Sequence, residues 1–224
     1  LIKGSMMTSL YIDAGDTVWA GTTKNFAIKI APGWKNEQVS RIDFPENEAY
    51  ICLLGQTDFI FGNGADPENY LTFYQRPGKK LKTLTVLPEK TDIRGVRYAV
   101  RRAADGNFIV TLNNKIICCN PEGILAEKKL GSIGIRIWEE KDGNILAGTR
   151  VGVTGWADKS FIGEYRLVPF DKKIITAIYR DREDNFWVCS EGNGVYCMTH
   201  EGFSYYTASN GLSESRISCA VTSG

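Results

Sequence analysis

The chain has 224 residues, 43% of them hydrophobic, and its 27 basic and 26 acidic side chains leave a formal net charge of +1. This balance excludes a global electrostatic attraction to nucleic acid or to an anionic membrane surface. No apolar run in the sequence approaches the roughly 20 residues that a membrane-spanning helix needs.

A segment made of a turn and a strand recurs along the chain, and we call it the turn cassette. In chain order it reads GDTVWAGT from Gly15, GQTDFIFG from Gly55, DGNFIVTL from Asp105, DGNILAGT from Asp142 and EDNFWVCS from Glu183. The copies start 40, 50, 37 and 41 residues apart, which is the period of a four-stranded propeller blade. A turn built on Gly, Asp or Asn and followed by alternating apolar residues predicts a hairpin between two strands.

Each unit around a turn cassette contains four short apolar runs. The first unit reads SLYID, VWAGT, FAIKI and VSRIDF, the fourth IGIRIWEE, ILAGT, VGVTGW and FIGEYRLV, and the fifth ITAIYRD, FWVCS, GVYCM and FSYY. Such runs, separated by Gly, Asn, Asp or Pro, are typical of an antiparallel meander. The sequence therefore predicts an all-β chain, a β-propeller of four-stranded antiparallel blades, with units at about 1–44, 45–90, 91–131, 132–170 and 171–211.

The fifth position of every turn cassette carries a large apolar residue. These residues are Trp19, Phe59, Ile109, Leu146 and Trp187. A repeat in which each blade covers a face that its neighbour cannot bury alone predicts that they form buried anchors between stacked sheets.

The two ends of the chain lie at the same phase of the repeat. LIKGSMMTSLYI at the start can be aligned with LSESRISCAV from Leu212, so residues 212–224 are predicted to be the first strand of a sixth blade. The chain is then either a fragment of a longer array or a five-bladed ring in which this last strand completes the first sheet. We favour the fragment, because Leu1 to Ile12 already supply the inner strand of the first blade.

Residues for hydrolytic or metal chemistry are scarce. His200 is the single histidine and is expected in a solvated outer turn, and the six cysteines lack zinc-site spacing. We predict no catalytic residue, no metal and no cofactor. Cys189 and Cys197 flank one hairpin turn, and a disulfide between them is the less favoured alternative to two buried thiols. The DREDNFW segment, Asp181 to Trp187, resembles the Asp-box turn of sialidase-type propellers, which is structural there.

The fifth unit and its continuation carry a more specific match. The sequence ITAIYRDREDNFWVCSEGNGVYCMTHEGFSYYTASNGLSESRISCAV resembles the two-component regulator propeller repeats of bacterial hybrid sensor kinases, approximately I-x-x-I-x-x-D-x-x-G-N-L-W-I-G-T-x-x-G-G-L, then an aromatic strand and N-G-L-S-x-N-x-V. The matching residues are Ile178, Asp181, Asn185, Phe186, Trp187, Val188, Gly192, Gly194, Val195, Phe203, Tyr206, Asn210, Gly211, Leu212, Ser213 and Ile217. Asp184 departs from the pattern's Gly, and Cys189-Ser190 from its Gly-Thr.

This resemblance implies a noncatalytic, periplasmic sensor domain, commonly found in gut Bacteroidetes, that binds oligosaccharides released from complex glycans. It would signal through a transmembrane segment to a histidine kinase and a DNA-binding regulator. The expected partners are the oligosaccharide or another small-molecule ligand, the remaining blades and downstream signalling domains of the parent chain, and a second copy in a homodimer. No nucleic acid is expected to bind this region. A carbohydrate-active propeller enzyme, sialidase-like or lyase-like, and a protein-interaction scaffold are the alternatives.

Ligands of propellers bind on the loops between second and third strands and between blades. Polar side chains with directional hydrogen bonds at such positions are the candidate ligand contacts. They are Asn63, Arg94, Arg97, Asn113, Arg150 and Asn193. The arginines are the stronger candidates, because turn geometry does not require arginine.

Overall fold

The computed structural model describes residues 4–13, 15–33, 39–44, 48–53, 59–64, 70–75, 79–85, 98–112, 114–199, 202–206, 208–209 and 212. These residues form five antiparallel sheets of four strands each, and the strand order in every sheet follows the sequence. The strands of the first two sheets are β1 Met7–Ile12, β2 Val18–Thr22, β3 Phe26–Ile30, β4 Val39–Asp43, β5 Glu48–Leu53, β6 Phe59–Gly64, β7 Tyr70–Gln75 and β8 Lys79–Thr85.

The remaining three sheets repeat the same meander. Their strands are β9 Tyr98–Arg102, β10 Phe108–Leu112, β11 Lys115–Asn120, β12 Gly123–Lys129, β13 Gly134–Glu139, β14 Ile145–Thr149, β15 Gly152–Trp156, β16 Tyr165–Arg166, β17 Ile175–Arg180, β18 Phe186–Ser190, β19 Gly194–Thr199 and β20 Gly202–Tyr206. A 3-10 helix, Val168–Phe170, follows β16. The prediction of an all-β chain built from four-stranded antiparallel meanders is confirmed. Except for Leu212, residues 212–224 lie outside the described part.

The chain divides into two compact units, residues 1–95 with 120–123 and residues 96–119 with 124–224. In the first unit, β1 and β2 lie next to β5. In the second unit, β9 and β10 lie next to β13, and β13 and β14 lie next to β17. Within each unit, consecutive sheets therefore pack through their first two strands.

Burial follows from this stacking. Every residue of the second strands β2, β10 and β14 is buried. For β14 the reason is visible, because its sheet packs against both the third and the fifth sheets. The anchors Trp19, Ile109 and Leu146 are buried as predicted. Trp187 is only half-buried, with its ring stacked on that of Tyr206 at a centroid distance of 6.2 Å. The side chain of Phe59 lies outside the described residues.

The turn cassettes of four sheets share one backbone geometry. These turns begin at Asp13, Ala103, Glu140 and Asp181. In each turn the N–H of the first residue donates to the carbonyl of the fifth residue, and the N–H of the fourth residue donates to the carbonyl of the first. The fourth residue has a positive φ in each case: Asp16 at 57°, Gly106 at 88°, Gly143 at 91° and Asp184 at 68°. Asp can adopt this left-handed conformation, which explains why Asp184 can stand where the repeat pattern has Gly.

A second hydrogen bond recurs at the other end of the first strands. The N–H groups of Thr23, Arg150 and Glu191 donate to the carbonyls of Met6, Ile133 and Ile174, at 2.9, 3.2 and 2.9 Å. Each bond ties the turn between the second and third strands to the residue just before its own first strand, so both ends of the first strand are anchored within the same sheet.

Close approach between sheets depends on glycine. A Cβ at Gly134 would lie 2.6 Å from Thr111 Cβ, and one at Gly148 would lie 2.6 Å from Ile175 Cγ2. Real Cβ atoms do not come so close, so these two glycines set the distance at which the third, fourth and fifth sheets stack.

Two expectations need correction. The predicted fourth strand FIGEYRLV is reduced to Tyr165–Arg166, because Phe161 adopts a left-handed φ of 58° and buries its ring edge-on against Trp156. The alternative of a Cys189–Cys197 disulfide is wrong, since both are free, buried thiols. Cys189 lies opposite Val195 and Cys197 opposite Trp187, so the two cysteines are not cross-strand partners.

Candidate functional site

The predicted ligand contacts do not converge within the described residues. Arg150 and Asn193 occupy the equivalent turns of the fourth and fifth sheets and form no hydrogen bond with each other. The amide of Asn193 donates to the carbonyl of Glu191 at 3.1 Å and so closes its own turn. Asn63 lies in β6, opposite Ala49 and Leu71. Arg94, Arg97 and Asn113 lie outside the described residues, as does His200. The ligand-binding role of the six residues stays a prediction.

A cleft of about 370 Å³ lies between the fourth and fifth sheets, at the end where the turn cassettes lie. Its volume is within the range of about 300–1,000 Å³ that is typical of small-molecule sites. The lining combines apolar side chains with charged and hydrogen-bonding ones. The lining residues are Glu140, Lys141, Asp142, Asn144, Leu146, Tyr165, Leu167, Arg180, Asp184, Phe186 and Met198.

Arg180 ties the two walls of the cleft together. Its Nε donates to Glu140 Oε2 at 2.7 Å and its Nη2 donates to Glu140 Oε1 at 2.9 Å, across the two sheets. Its Nη1 donates to the carbonyl of Asp184 at 2.9 Å, and the guanidinium lies 5.3 Å from the ring centroid of Phe186. The hydrogen bonds to Glu140 raise the pKa of Arg180. A two-pronged pair of this kind fixes orientation as well as charge, so the cleft has a preformed wall.

Lys141 forms the second ion pair of the cleft, with its Nζ 3.1 Å from Asp184 Oδ1. The lysine side chain is 81% exposed, so this pair lies at the rim and contributes little stability.

Tyr165 supplies an aromatic wall. It pairs with Gly155 across β15 and β16, and a Cβ at Gly155 would lie 2.4 Å from Tyr165 Cζ. The ring therefore occupies space that only glycine leaves open, while 38% of the residue stays exposed. Burial first, and then the charges of Glu140 and Asp142, raise the pKa of Tyr165. The hydroxyl thus lies in a negative potential.

Asp142 is the remaining charged residue of the cleft. Its Oδ1 accepts from the backbone N–H of Asn144 at 3.2 Å, and its Oδ2 accepts from Asn144 Nδ2 at 2.8 Å. Four of the five charged lining residues form the pairs Arg180–Glu140 and Lys141–Asp184. Asp142 has no ion-pair partner among the described residues, and its carboxylate can still accept hydrogen bonds from a ligand.

A separate ionic cluster joins the third and fourth sheets. Lys159 Nζ lies 2.7 Å from Asp105 Oδ2 and 3.5 Å from Glu139 Oε1, and Glu139 Oε2 accepts from the backbone N–H of Ala104 at 3.0 Å. Burial is the largest single effect and lowers the pKa of Lys159, but the hydrogen bonds and charges of Asp105 and Glu139 together outweigh it, so the pKa of the lysine is raised. This cluster holds two sheets together.

The cleft was not predicted from the sequence, although the sequence contains a signal for it. Glu140 and Arg180 are 40 residues apart, close to one repeat period, so opposite charges at nearly equivalent positions of neighbouring units indicate contact between sheets. No group of three or more metal-ligating side chains occurs in the described part of the chain. Among the same residues, no helix is long and apolar enough to cross a membrane.

No protein-family model matches the chain, and no curated protein matches it. Solved structures do. The WD40 beta propeller domain of Doa1 matches with a TM-score of 0.61 and 10% identity, over 88% of this chain and 65% of that one. The streptogramin B lyase matches with a TM-score of 0.66 and 16% identity, over 89% and 68%.

A third match is PorZ, a surface component of the type-IX secretion system of Porphyromonas gingivalis. Its TM-score is 0.64 at 15% identity, over 96% of this chain and 35% of that one. Because identities this low show the fold alone, the three matches bear on architecture and not on activity. Together with the five four-stranded antiparallel sheets, they confirm that the chain has the predicted β-propeller fold.

Proposed function

We propose that the chain is the noncatalytic, ligand-sensing propeller of a periplasmic two-component receptor, and that it binds oligosaccharides derived from glycans. The cleft between the fourth and fifth sheets carries this proposal, because it combines an exposed aromatic ring with directional polar groups and an apolar lining. The resemblance of the fifth unit to two-component regulator propellers supports the receptor role. The remaining blades and the signalling domains of the parent protein would then be its partners.

The chemistry of the cleft suits a sugar. One face of a pyranose ring is apolar and packs on aromatic and aliphatic side chains, while its hydroxyl groups donate to carboxylates and amide oxygens. Tyr165, Leu167 and Met198 offer the first kind of contact, and Asp142 and Asn144 offer the second.

Isothermal titration of the 224-residue chain against a library of glycan fragments tests the proposal. At least one oligosaccharide is expected to bind, and Tyr165→Ala is expected to weaken that binding by about ten-fold, the effect of losing about 1.4 kcal/mol of stacking. Tyr206→Ala is the control, since Tyr206 is exposed to 39% but does not line the cleft. Absence of binding to every fragment by the folded chain would contradict the proposal.

The same library separates the alternatives. Release of new reducing ends or of unsaturated products would favour a carbohydrate-active enzyme. Retention of a protein partner without any glycan binding would favour an interaction scaffold.

A further inference from the structure

We infer that the cleft between the fourth and fifth sheets takes a ligand with a protonated primary amine, such as an oligosaccharide that contains a free amino sugar. The inference rests on the proposed function, which it narrows from oligosaccharides in general to cationic ones. The recognising group would be Asp142, with Tyr165 beside it.

The side chains that line the cleft carry one net negative charge, since three are carboxylates and two are cations. Glu140 is occupied by Arg180, and Asp184 is paired with Lys141. One negative charge is left, and it resides on Asp142, which accepts hydrogen bonds from Asn144 alone among the described residues. A cleft with one uncompensated carboxylate attracts a single positive charge more than a neutral or negative ligand.

The two cations of the cleft do not reverse this preference. Arg180 uses three of its five N–H groups, Nε and Nη2 on Glu140 and Nη1 on the carbonyl of Asp184. The charge of Asp142 acts on it without a direct ion pair. Lys141 lies at the rim beside Asp184. Neither cation forms an ion pair with Asp142 within 4.0 Å, the distance within which such pairs count.

Tyr165 is the second observation, and it is independent of the ion pairs. The ring is held in place over Gly155 and is exposed to 38%. Its hydroxyl lies close enough to Glu140 and Asp142 for both charges to act on it. An ammonium group that binds Asp142 would therefore share the cleft with an aromatic ring, a group that attracts cations.

The Asp142 carboxylate is also oriented in advance. Its two hydrogen bonds with Asn144 fix the side chain against the turn cassette. The third sheet contains the same arrangement, in which Asp105 accepts from the N–H and the amide of Asn107 at 3.0 Å each. Asp105 differs in being paired with Lys159. It therefore provides a matched control at the equivalent position of the repeat.

The test is titration of the full chain, at about pH 6 where amines are charged and carboxylates are ionised, with four probes. These are the disaccharide of glucosamine, its di-N-acetylated form, cellobiose and the non-sugar amine ethanolamine. We expect the glucosamine disaccharide to bind about five-fold more tightly than the acetylated form, the ratio expected for one exposed charge pair. Asp142→Asn should abolish this preference, and Asp105→Asn should retain it.

The outcomes distinguish this inference from the proposed function. Binding of the disaccharides without preference for the free amine, or a preference that survives Asp142→Asn, would overturn the inference and leave the proposed function standing. Binding of none of the four probes, with circular dichroism showing a folded chain, would overturn the inference. Ethanolamine binding as tightly as the glucosamine disaccharide would support the ammonium site and contradict a sugar as its ligand.

Discussion

Replacing Gly143 by Ala tests the geometry of the turn cassette. Gly143 is the second residue of its turn cassette and has a φ of 91°, and a Cβ placed there would meet nothing within 4 Å. Any loss of stability must therefore come from the backbone and not from a clash. A non-glycine residue in the left-handed region costs about 1–2 kcal/mol, and the smaller conformational entropy of Ala in the unfolded chain offsets about 0.4–1 kcal/mol of this.

The expected net effect of Gly143→Ala is a loss of about 1 kcal/mol of unfolding free energy, or about 2–4 °C in Tm for a chain of this size. Urea denaturation followed by tryptophan fluorescence measures it, because Trp138, Trp156 and Trp187 lie in the same unit as Gly143. Gly123→Ala is the control: it also has open space around the new Cβ but has no positive φ. That variant should be as stable as the parent or slightly more stable. Equal stability of the two variants would refute the reasoning.

Three further predictions concern the packing between sheets, the stability of the fold at low pH and the reactivity of the buried cysteines. Gly148→Ala should lower the unfolding free energy by about 1–3 kcal/mol, because the new Cβ would lie 2.6 Å from Ile175 Cγ2. Ile175→Ala removes that Cγ2, so the loss of unfolding free energy in the double variant, measured by urea denaturation, should be smaller than the sum of the two single losses; full additivity would argue against the clash. The hydrogen bond from Trp19 lowers the pKa of Asp13. At Asp181 desolvation is the largest single effect and raises the pKa, but hydrogen bonds from Trp187, Asn185 and Glu183 together outweigh it, so the pKa is lowered. An aspartate whose pKa is lower in the folded chain stabilises the fold at pH values above its unfolded pKa of about 3.9, and this stabilisation is lost as the pH falls. The urea midpoint should therefore be level from about pH 7 to 5 and should decline below about pH 4. The decline should be less steep in the Asp13→Asn, Asp181→Asn double variant. Burial, and then the neighbouring Cys118, raise the pKa of Cys119 to about 12. In a Cys52→Ser, Cys219→Ser variant, which leaves only the four buried cysteines, a thiol reagent at about pH 8 should therefore modify the protein only upon unfolding. Rapid labelling of the folded chain would contradict the burial of these thiols.

The repeating part of the fold could be predicted from the sequence, because local chemistry determines it. The turn cassette combines a left-handed residue with an apolar strand, and both are visible in the letters around Gly106 and Gly143. The burial of Ile109 and Leu146 follows from the same period. Only a structure could show that Trp187 is half-buried, since this depends on what covers the fifth sheet.

The candidate site could not be predicted in the same way, because it depends on contacts between units. Tyr165 lines the cleft as a result of a short strand that Phe161 interrupts by turning into the core. Glu140 and Arg180 meet across two sheets. Single positions in a repeat do not reveal such pairs, whereas a comparison of positions one period apart does.

The Asp-box resemblance has a physical basis in two sheets. Asp181 accepts from the indole N–H of Trp187 at 2.7 Å, and Asp13 accepts from that of Trp19 at 2.8 Å. Asp181 also accepts from Asn185. Where the anchor is aliphatic, as at Ile109 and Leu146, the aspartates Asp105 and Asp142 accept from Asn107 and Asn144 and from no tryptophan in the described part of the chain. The motif therefore follows the hydrogen-bonding need of tryptophan and is a structural feature, as expected.

The recurring bond from the turn after the second strand to the carbonyl before the first strand has an evolutionary consequence. Because Thr23, Arg150 and Glu191 each satisfy a carbonyl of their own sheet, a repeat of this kind carries its main-chain pairing with it when its gene segment is duplicated or deleted. Neighbours then need to agree only in side-chain shape and charge. Modular proteins of this type can therefore gain or lose whole copies while the surfaces between copies diverge to acquire new ligands.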